Sequence, residues 1–344
     1  MNKNFLVLIL ILFLSIFAFS QSERKIAYSS DDTKDGLLQI FIMDIDGNNK
    51  RQLTNLPYDC VYPKWSPDGT KIVFYTQSDY STSGIYLINN ITEESADEPI
   101  FLVDGTNPSF LCDNNTIMFN SDIDGTLTIY VKLLDEEEIY ILGPESYANQ
   151  QVLSNDCRWL AFATFTTSGK SIMMYDLTDT TDDALYSVSK NSNANMNPDI
   201  SPDNSKLVYS SFDRNLNGTI LLYEDGVERA LTKGIKSADM PKFSPDGKKI
   251  AFIAIENDAT KLCIIDVDGS NLKYLKTIGS NVGYYSWVDK NNIIYDVEKG
   301  NFTIICMINI NTGENSILAD GSNCVRPSVS EPFNIIDDVI NESY

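Results

Sequence analysis

Three short segments carry residue types that bind hard cations: Asp44-Ile45-Asp46-Gly47, Asp122-Ile123-Asp124-Gly125 and Asp266-Val267-Asp268-Gly269. Closely spaced carboxylates ahead of a glycine match the opening of a calcium loop, but none is followed by the bidentate Glu that completes an EF-hand. The first and third fall where a hairpin must reverse, and Asp-Gly is the pair such a turn selects. They are read as turns. Asp122 and Asp124 sit on a different inter-strand loop and are the better calcium candidates of the three. No metal site is assigned.

Nucleophilic chemistry meets a sharper limit, because the 344 residues contain no His. That removes Ser-His-Asp and Cys-His machinery and the commonest zinc and manganese sites. Neither a Gly-x-Ser-x-Gly elbow nor a phosphate loop occurs. Paired carboxylates remain available: glycoside chemistry needs only two acids at a suitable separation, and the chain has 48 Asp plus Glu. No catalytic residue and no cofactor is assigned.

The six Cys fit either redox state. Cys60 and Cys324 each stand three residues before a Pro of the repeat described below, on segments that converge near an axis, which leaves a bridge between them open. Cys263 and Cys306 occupy equivalent positions that point the same way around a ring, so they read as small buried apolar residues. Cys112 and Cys157 lie near corresponding turns of neighbouring units, with their pairing undecided. Asn90, Asn114, Asn217, Asn301 and Asn341 open Asn-x-Ser/Thr sequons, relevant only in a host that glycosylates.

The first 20 residues read as a removable export signal. Lys3 supplies a positive start, Phe5 to Phe19 is apolar apart from Ser15, and Ala18-Phe19-Ser20 is a small-x-small cleavage site. The run is too short for a membrane span, which needs roughly 20 residues, and no later stretch could cross a bilayer. The expected mature protein is periplasmic or secreted and monomeric, with a propeller over 21–333 and a tail over 334–344. Its net charge of −22, before the signal's Lys3 leaves, argues against nucleic acid and anionic membranes. The same charge favours solubility and cationic partners.

These groups need a scaffold, and the chain spells one. Tyr62-Pro63-Lys64-Trp65-Ser66-Pro67-Asp68-Gly69 returns as Met240-Pro241-Lys242-Phe243-Ser244-Pro245-Asp246-Gly247, and in eroded form as Asn197-Pro198-Asp199-Ile200-Ser201-Pro202-Asp203-Asn204. A period of about 40–50 residues built of short alternating strands is the mark of a β-propeller. First strands centre on Trp65, Phe110, Leu153, Ile200, Phe243, Trp287 and Val329. Second strands begin near Ile26, Ile72, Ile117, Leu160, Leu207, Ile250 and Ile293. Both counts give seven blades, with six as the alternative. The mature chain opens on a second strand and closes on a first, so its two ends should complete one blade together and close the ring. Trp65, Phe110, Phe243 and Trp287 recur at one repeat position and are expected between blades.

The units, with Pro-x-Trp/Phe-Ser-Pro-Asp-Gly, then Ile-Tyr/Phe-x-x-Asp, then Asp-Gly and Gln-Leu-Thr, resemble the PD-type repeats of TolB-like propellers. TolB proteins are periplasmic members of the Tol–Pal envelope system, with an α/β domain ahead of a six-bladed propeller. In this chain the repeats begin at Lys25, which leaves no space for such a domain. Similar repeats precede the hydrolase domain of prolyl oligopeptidase-like peptidases, for which the chain ending at Tyr344 has no room.

Strand direction sorts the loops onto two faces. Segments leading into first strands, and loops joining second to third strands, share one face. The tight Asp-Gly turns share the other. Function on propellers uses the loop-rich face and the channel mouth. By alignment the mouth residues are Tyr62, Asn107, Gln150, Asn197, Met240, Tyr284 and Arg326, with Asp239, Tyr285 and Lys64 beside them. Tyr, Asn and Arg suit peptide or sugar contacts. Tyr62, Asn107, Gln150, Asn197, Asp239, Tyr284 and Arg326 are the expected binding residues. The reading is a non-enzymatic propeller that binds a protein or peptide at the cell envelope. The alternative is a carbohydrate-binding or carbohydrate-active propeller.

Overall fold

A computed structural model describes residues 24–77, 83–142, 147–167, 169–179, 181, 184–257 and 259–330. The signal at 1–20, the tail at 334–344 and the Asn341 sequon lie outside the described residues. Among those described, 28 strands, β1 to β28 in chain order, form seven antiparallel four-stranded sheets around one axis. The count excludes the six-bladed alternative. Six sheets are runs of four consecutive strands. The seventh joins the chain's two ends: β28 (Cys324–Val329) lies beside β1 (Lys25–Ser30), followed by β2 (Gln39–Asp44) and β3 (Arg51–Gln52). Its register pairs Ile26 with Val329 and Ser30 with Cys324, so the closure expected from sequence is the one observed.

Each blade starts from an innermost strand lining the axis. Besides β28 these are β4 (Asp59–Trp65), β8 (Thr106–Phe110), β12 (Ala148–Leu153), β16 (Ala194–Ile200), β20 (Ala238–Phe243) and β24 (Ser280–Trp287). The turn that follows closes on itself. In Ser66-Pro67-Asp68-Gly69 the Ser66 hydroxyl donates to Asp68 (2.6 Å), the Thr70 amide donates to the same carboxylate (2.9 Å), and the Lys71 amide donates to Ser66 Oγ (2.9 Å). Ser201 with Asp203, and Ser244 with Asp246, repeat the pattern. A short polar side chain that satisfies its own turn is why this tetrapeptide recurs.

Every strand seam between blades is apolar. Trp65, Phe110, Phe243 and Trp287 are each at most 9% exposed, as their recurrence implied. The two tryptophans also tie neighbouring blades: Trp65 Nε1 donates to the Ser328 carbonyl (3.3 Å) and Trp287 Nε1 to the Lys242 carbonyl (3.2 Å). Trp65 packs in one cluster with Ala27, Ile40 and Ile42 of the closing blade.

Two cysteine expectations resolve. Cys112 and Cys157 form a disulfide between the turns of neighbouring blades. Cys60 and Cys324 are both free and buried, so the bridge left open between them is absent. Equivalent positions in adjacent blades point the same way around the ring. Cys60 accordingly turns to the Gln39 side chain, and Cys324 to Ser30 and Ser322. Cys263 and Cys306 are likewise buried and free.

Candidate functional site: the channel mouth

The innermost strands share one irregularity that builds the mouth. In β4, Val61 faces Tyr75 and Lys64 faces Val73, so Tyr62 and Pro63 together oppose Phe74. This is a β-bulge, and its first residue lies in the left-handed region. The same geometry recurs at Asn107, Gln150, Asn197, Met240 and Arg326, whose φ values run from 52° to 57° alongside 56° for Tyr62. A proline follows at Tyr62, Asn107, Asn197, Met240 and Arg326, where the bulge leaves no ladder bond for an N–H to make. These prolines are buried. The left-handed residue is thereby held in a costly backbone state and turned toward the axis. Blade by blade, these are the residues the alignment placed at the mouth.

The seventh position departs from the rule. In β24 the irregularity sits one residue earlier, with Gly283 and Tyr284 opposing Asp296 of β25 (Asn292–Lys299). A Cβ on Gly283 would come within 2.5 Å of Asp296 Oδ1, so a larger residue there would push that carboxylate off the amides it holds. Asp296, 3% exposed, accepts the Tyr284 amide on one oxygen (2.6 Å) and the Arg326 amide on the other (2.7 Å). It thus collects two N–H groups that the bulges release from the ladder. Burial pushes its carboxyl above the usual range, against those bonds.

One side of the mouth is aromatic and cationic. The Arg326 guanidinium lies 4.0 Å from the centre of the Tyr62 ring. Tyr62 stacks on Tyr75 at 5.5 Å and meets Tyr284 edge-on at 6.4 Å. Onto the Tyr284 hydroxyl oxygen converge Lys242 Nζ at 3.0 Å, from the preceding blade, and Lys64 Nζ at 3.2 Å, from beyond the closing blade. Burial raises the Tyr284 pKa, but the two ammonium charges outweigh it and bring the phenol down to about 7. Burial lowers Lys242 and the facing phenol outweighs that, so its pKa ends above the usual value. Below them, burial pushes Asp199 up to about 6, while it accepts the Phe243 amide at 2.8 Å.

The other side is a relay of amides. Lys170 of β14 (Gly169–Asp176) donates to Gln150 Oε1 (3.2 Å), Gln150 to Asn197 Oδ1 (2.9 Å), and Asn197 to Asp239 Oδ1 (2.8 Å). Asn107 is exposed and donates to Asn120 at 3.4 Å. Two open cavities share this space. One, about 460 Å³, is lined by Lys64, Asn149, Gln151, Asp199, Lys242 and Tyr284 among others. The other, about 500 Å³, includes Arg326, Asp296 and Glu298.

All seven sequence-chosen residues therefore meet at the channel. Lys64 does so too, but Tyr285 does not: it is fully buried, donating to the Ala251 carbonyl at 2.8 Å and to the Met240 carbonyl. Sequence reasoning missed Lys242, Lys170, Asp199 and Asp296. Lys242 had a signal, since it repeats the position of Lys64 two residues past the mouth residue, on the same face of a strand. Asp296 had one as well, an acid inside Ile293-Ile294-Tyr295-Asp296-Val297. In a strongly acidic chain, this channel gathers cations.

The Asp-x-Asp-Gly segments behave as turns or loop ties. Asp44 pairs with Lys25, Asp266 pairs with Lys249, and Asp124 accepts the Tyr130 hydroxyl. Among the described residues no three His, Cys, Asp or Glu side chains gather as a metal site, and no helix is long and apolar enough to cross a membrane.

Seven blades with a polar, cation-bearing channel mouth define a propeller whose distinctive groups sit at one end of its axis. Within that class, the chain belongs to the PD40 family, the TolB beta propeller domain, which matches over residues 11–212 and 140–336. TolB from Acinetobacter baumannii is similar in structure with a TM-score of 0.56 and 16% identity, over 90% of this chain and 67% of that one. A puromycin-hydrolyzing peptidase of Mycobacterium tuberculosis gives 0.68 and 13%, over 87% of this chain and 53% of that one. Dipeptidyl-peptidase 5 of Porphyromonas gingivalis is 24% identical over 295 residues, 78% of this chain. The chain spans 42% of that relative's length.

Proposed function

We propose that the protein is an exported, non-catalytic propeller of the periplasm or cell exterior that binds a peptide or protein partner of the cell envelope through the channel mouth. One observation carries the reading. Irregularities in the innermost strands of three successive blades, left-handed bulges at Tyr62 and Arg326 and the displaced one at Gly283 and Tyr284, deliver these three side chains, with Lys64 and Lys242, around a single opening. Tyr and Arg are the side chains that most often carry interface energy. Lys64, Lys242 and Arg326 have no carboxylate within ion-pair distance among the described residues, so their charges are available to a partner. The membership in a TolB propeller family agrees with an envelope role, and the absence of His from these 344 residues agrees with a non-catalytic one.

A second reading has its own support: the likeness to peptidase chains of which this one covers about half. Here the propeller is the substrate-selecting part of a peptidase, with the mouth admitting peptide to a catalytic unit. Both readings put peptide at the mouth.

The test is selection from a random peptide library on the purified chain from residue 21, with peptide hydrolysis measured in parallel. Binders whose affinity falls more than about tenfold, or roughly 1.4 kcal/mol, in the Tyr284→Ala, Arg326→Ala double variant support the mouth as the binding face. Turnover abolished by a single Ser or Cys substitution would overturn the non-catalytic reading. Glycan binding or turnover that depends on two acids would favour the carbohydrate alternative. Fractionation of cells expressing the full chain checks export.

A further inference from the structure

We propose that Lys64, Lys242 and Tyr284 form a seat for a carboxylate of the bound peptide, deep in the channel. The inference rests on the peptide-binding reading of the mouth. Two ammonium groups from different blades converge on one phenolic oxygen, at 3.2 and 3.0 Å. Two cations brought to one oxygen is the arrangement an anion requires, and each ammonium has three donors, of which that contact uses one.

The nearby acids fill this role only in part: Asp199 acts on Lys242 through space, without an ion pair. Asp296 spends both oxygens on backbone amides. Asp239 Oδ1 takes the Asn197 side chain and the Met240 amide. Asp199 holds the Phe243 amide. None of the three lies within ion-pair distance of either lysine.

The cavity beside the seat points to a peptide rather than a bare inorganic anion. Its wall includes Asn149 and Gln151, whose side-chain oxygens are buried and have no hydrogen-bond partner. Buried acceptors without donors are costly. Both oxygens are closed off from the cavity as it stands, so a peptide that places its carboxylate between the lysines meets them with its amide N–H groups only once these two side chains turn toward it. About 460 Å³ suits a residue or two of chain.

Tyr284 supplies the exchange. Above pH 7 in the empty channel, its phenolate is the lysines' counter-charge. When a carboxylate arrives, the phenolate takes a proton from solvent and the neutral hydroxyl donates a hydrogen bond to the newcomer. Binding therefore takes up a proton near neutral pH. The acidic exterior repels anions at long range, but field lines concentrate in a low-dielectric cleft lined by like charges.

The test follows the tyrosinate absorbance of the full chain against pH, with Tyr284→Phe subtracted. The probe is N-acetylalanine, with its amide as control, at equal ionic strength. One tyrosine should ionise near pH 7. The acid should shift that midpoint upward by about one pH unit at saturation, a tenfold change, and the amide should not. In Lys64→Met, Lys242→Met both the low midpoint and the shift should vanish. A midpoint in the ordinary phenol range, or no difference between acid and amide, would overturn the seat. A shift produced by inorganic phosphate but not by N-acetylalanine would overturn its assignment to carboxylates.

A second arm uses a library-selected peptide. Weakening on amidation of its C-terminus, in the native chain but not in Lys242→Met, assigns the carboxylate to the chain end. Weakening instead on Asp→Asn or Glu→Gln changes assigns it to a side chain. Unchanged binding after all carboxylates are neutralised overturns the seat. If N-acetylalanine shifts Tyr284 while the library yields no binder, the seat stands and the peptide reading of the mouth fails.

Discussion

The two ends of the channel axis use the same residue types to opposite effect. On the tight-turn face, Lys249 meets Asp266 at 2.5 Å within one blade, and Lys25 meets Asp44 at 2.5 Å within its own blade and Glu93 of the next at 2.9 Å. Asp68, Asp203 and Asp246 bond their own turns. At the mouth, Lys64 and Lys242 lean on a phenol from another blade, and Asp296 reaches across to Arg326. Local pairing makes a turn complete in itself. Pairing across blades, with cations left short of carboxylates, makes a surface that something else can complete. The repeat supplies the first arrangement by default, and the bulge of the innermost strand creates the second.

The comparison breaks most decisively if the ring is not what holds the mouth. Ending the chain at Ser322 removes β28, which pairs with β1 and takes Arg326 out of the channel. The expected result is loss of the cooperative thermal transition, because β1 loses its ladder partner and its apolar cover. An unchanged midpoint would contradict closure by that strand.

Next in size, Trp65→Ala and Phe243→Ala should each cost about 3–5 kcal/mol in denaturant unfolding, as truncated core residues do. These seams belong to neither face, so any folded fraction should bind normally. Losses below about 1 kcal/mol would place these rings outside the core.

A smaller effect separates the faces by pH. The folded pKa of Tyr284 lies near 7, below its unfolded value of 10.0. Its stabilising contribution is therefore complete above pH 10 and is lost as pH falls through 7. Native stability should rise with pH across that window relative to Tyr284→Phe, as read from unfolding at a series of pH values. Parallel profiles would show that the two lysines do not bias the phenol.

The smallest expected change is on the turn face. Lys249→Ala should cost less than about 1 kcal/mol, because its pair with Asp266 is partly exposed. Asp46→Ala and Asp268→Ala should leave peptide binding unaltered.

Much of this was legible in the sequence because propeller geometry is periodic. Counting first and second strands placed seven blades and the closing seam, and alignment on the Pro before each Trp or Phe found the residues turned to the axis. What escaped was whatever the repeat does not carry. Lys170 enters from a third strand, β14, at a place no unit marks. Asp199 stands in an eroded copy where the other two have Lys. Tyr285 aligned beside the mouth, yet the displaced irregularity at Gly283 turns it into the core. The cysteines divided on the same ground. Equivalent positions, such as Cys60 and Cys324, cannot face each other, whereas Cys112 and Cys157 come from turns that are not strictly equivalent and do meet.

The central claim is that partners bind at the channel mouth, and lysine footprinting tests it directly because the two faces carry their own reporters. The native chain, with and without a saturating library-selected peptide, is treated briefly with an amine-modifying reagent and each lysine's extent of modification is read by mass spectrometry. Lys64 and Lys242 should lose reactivity on binding, while Lys25 and Lys249 should keep theirs. Protection of Lys25 and Lys249 with Lys64 and Lys242 unchanged would put the functional face at the opposite end of the channel.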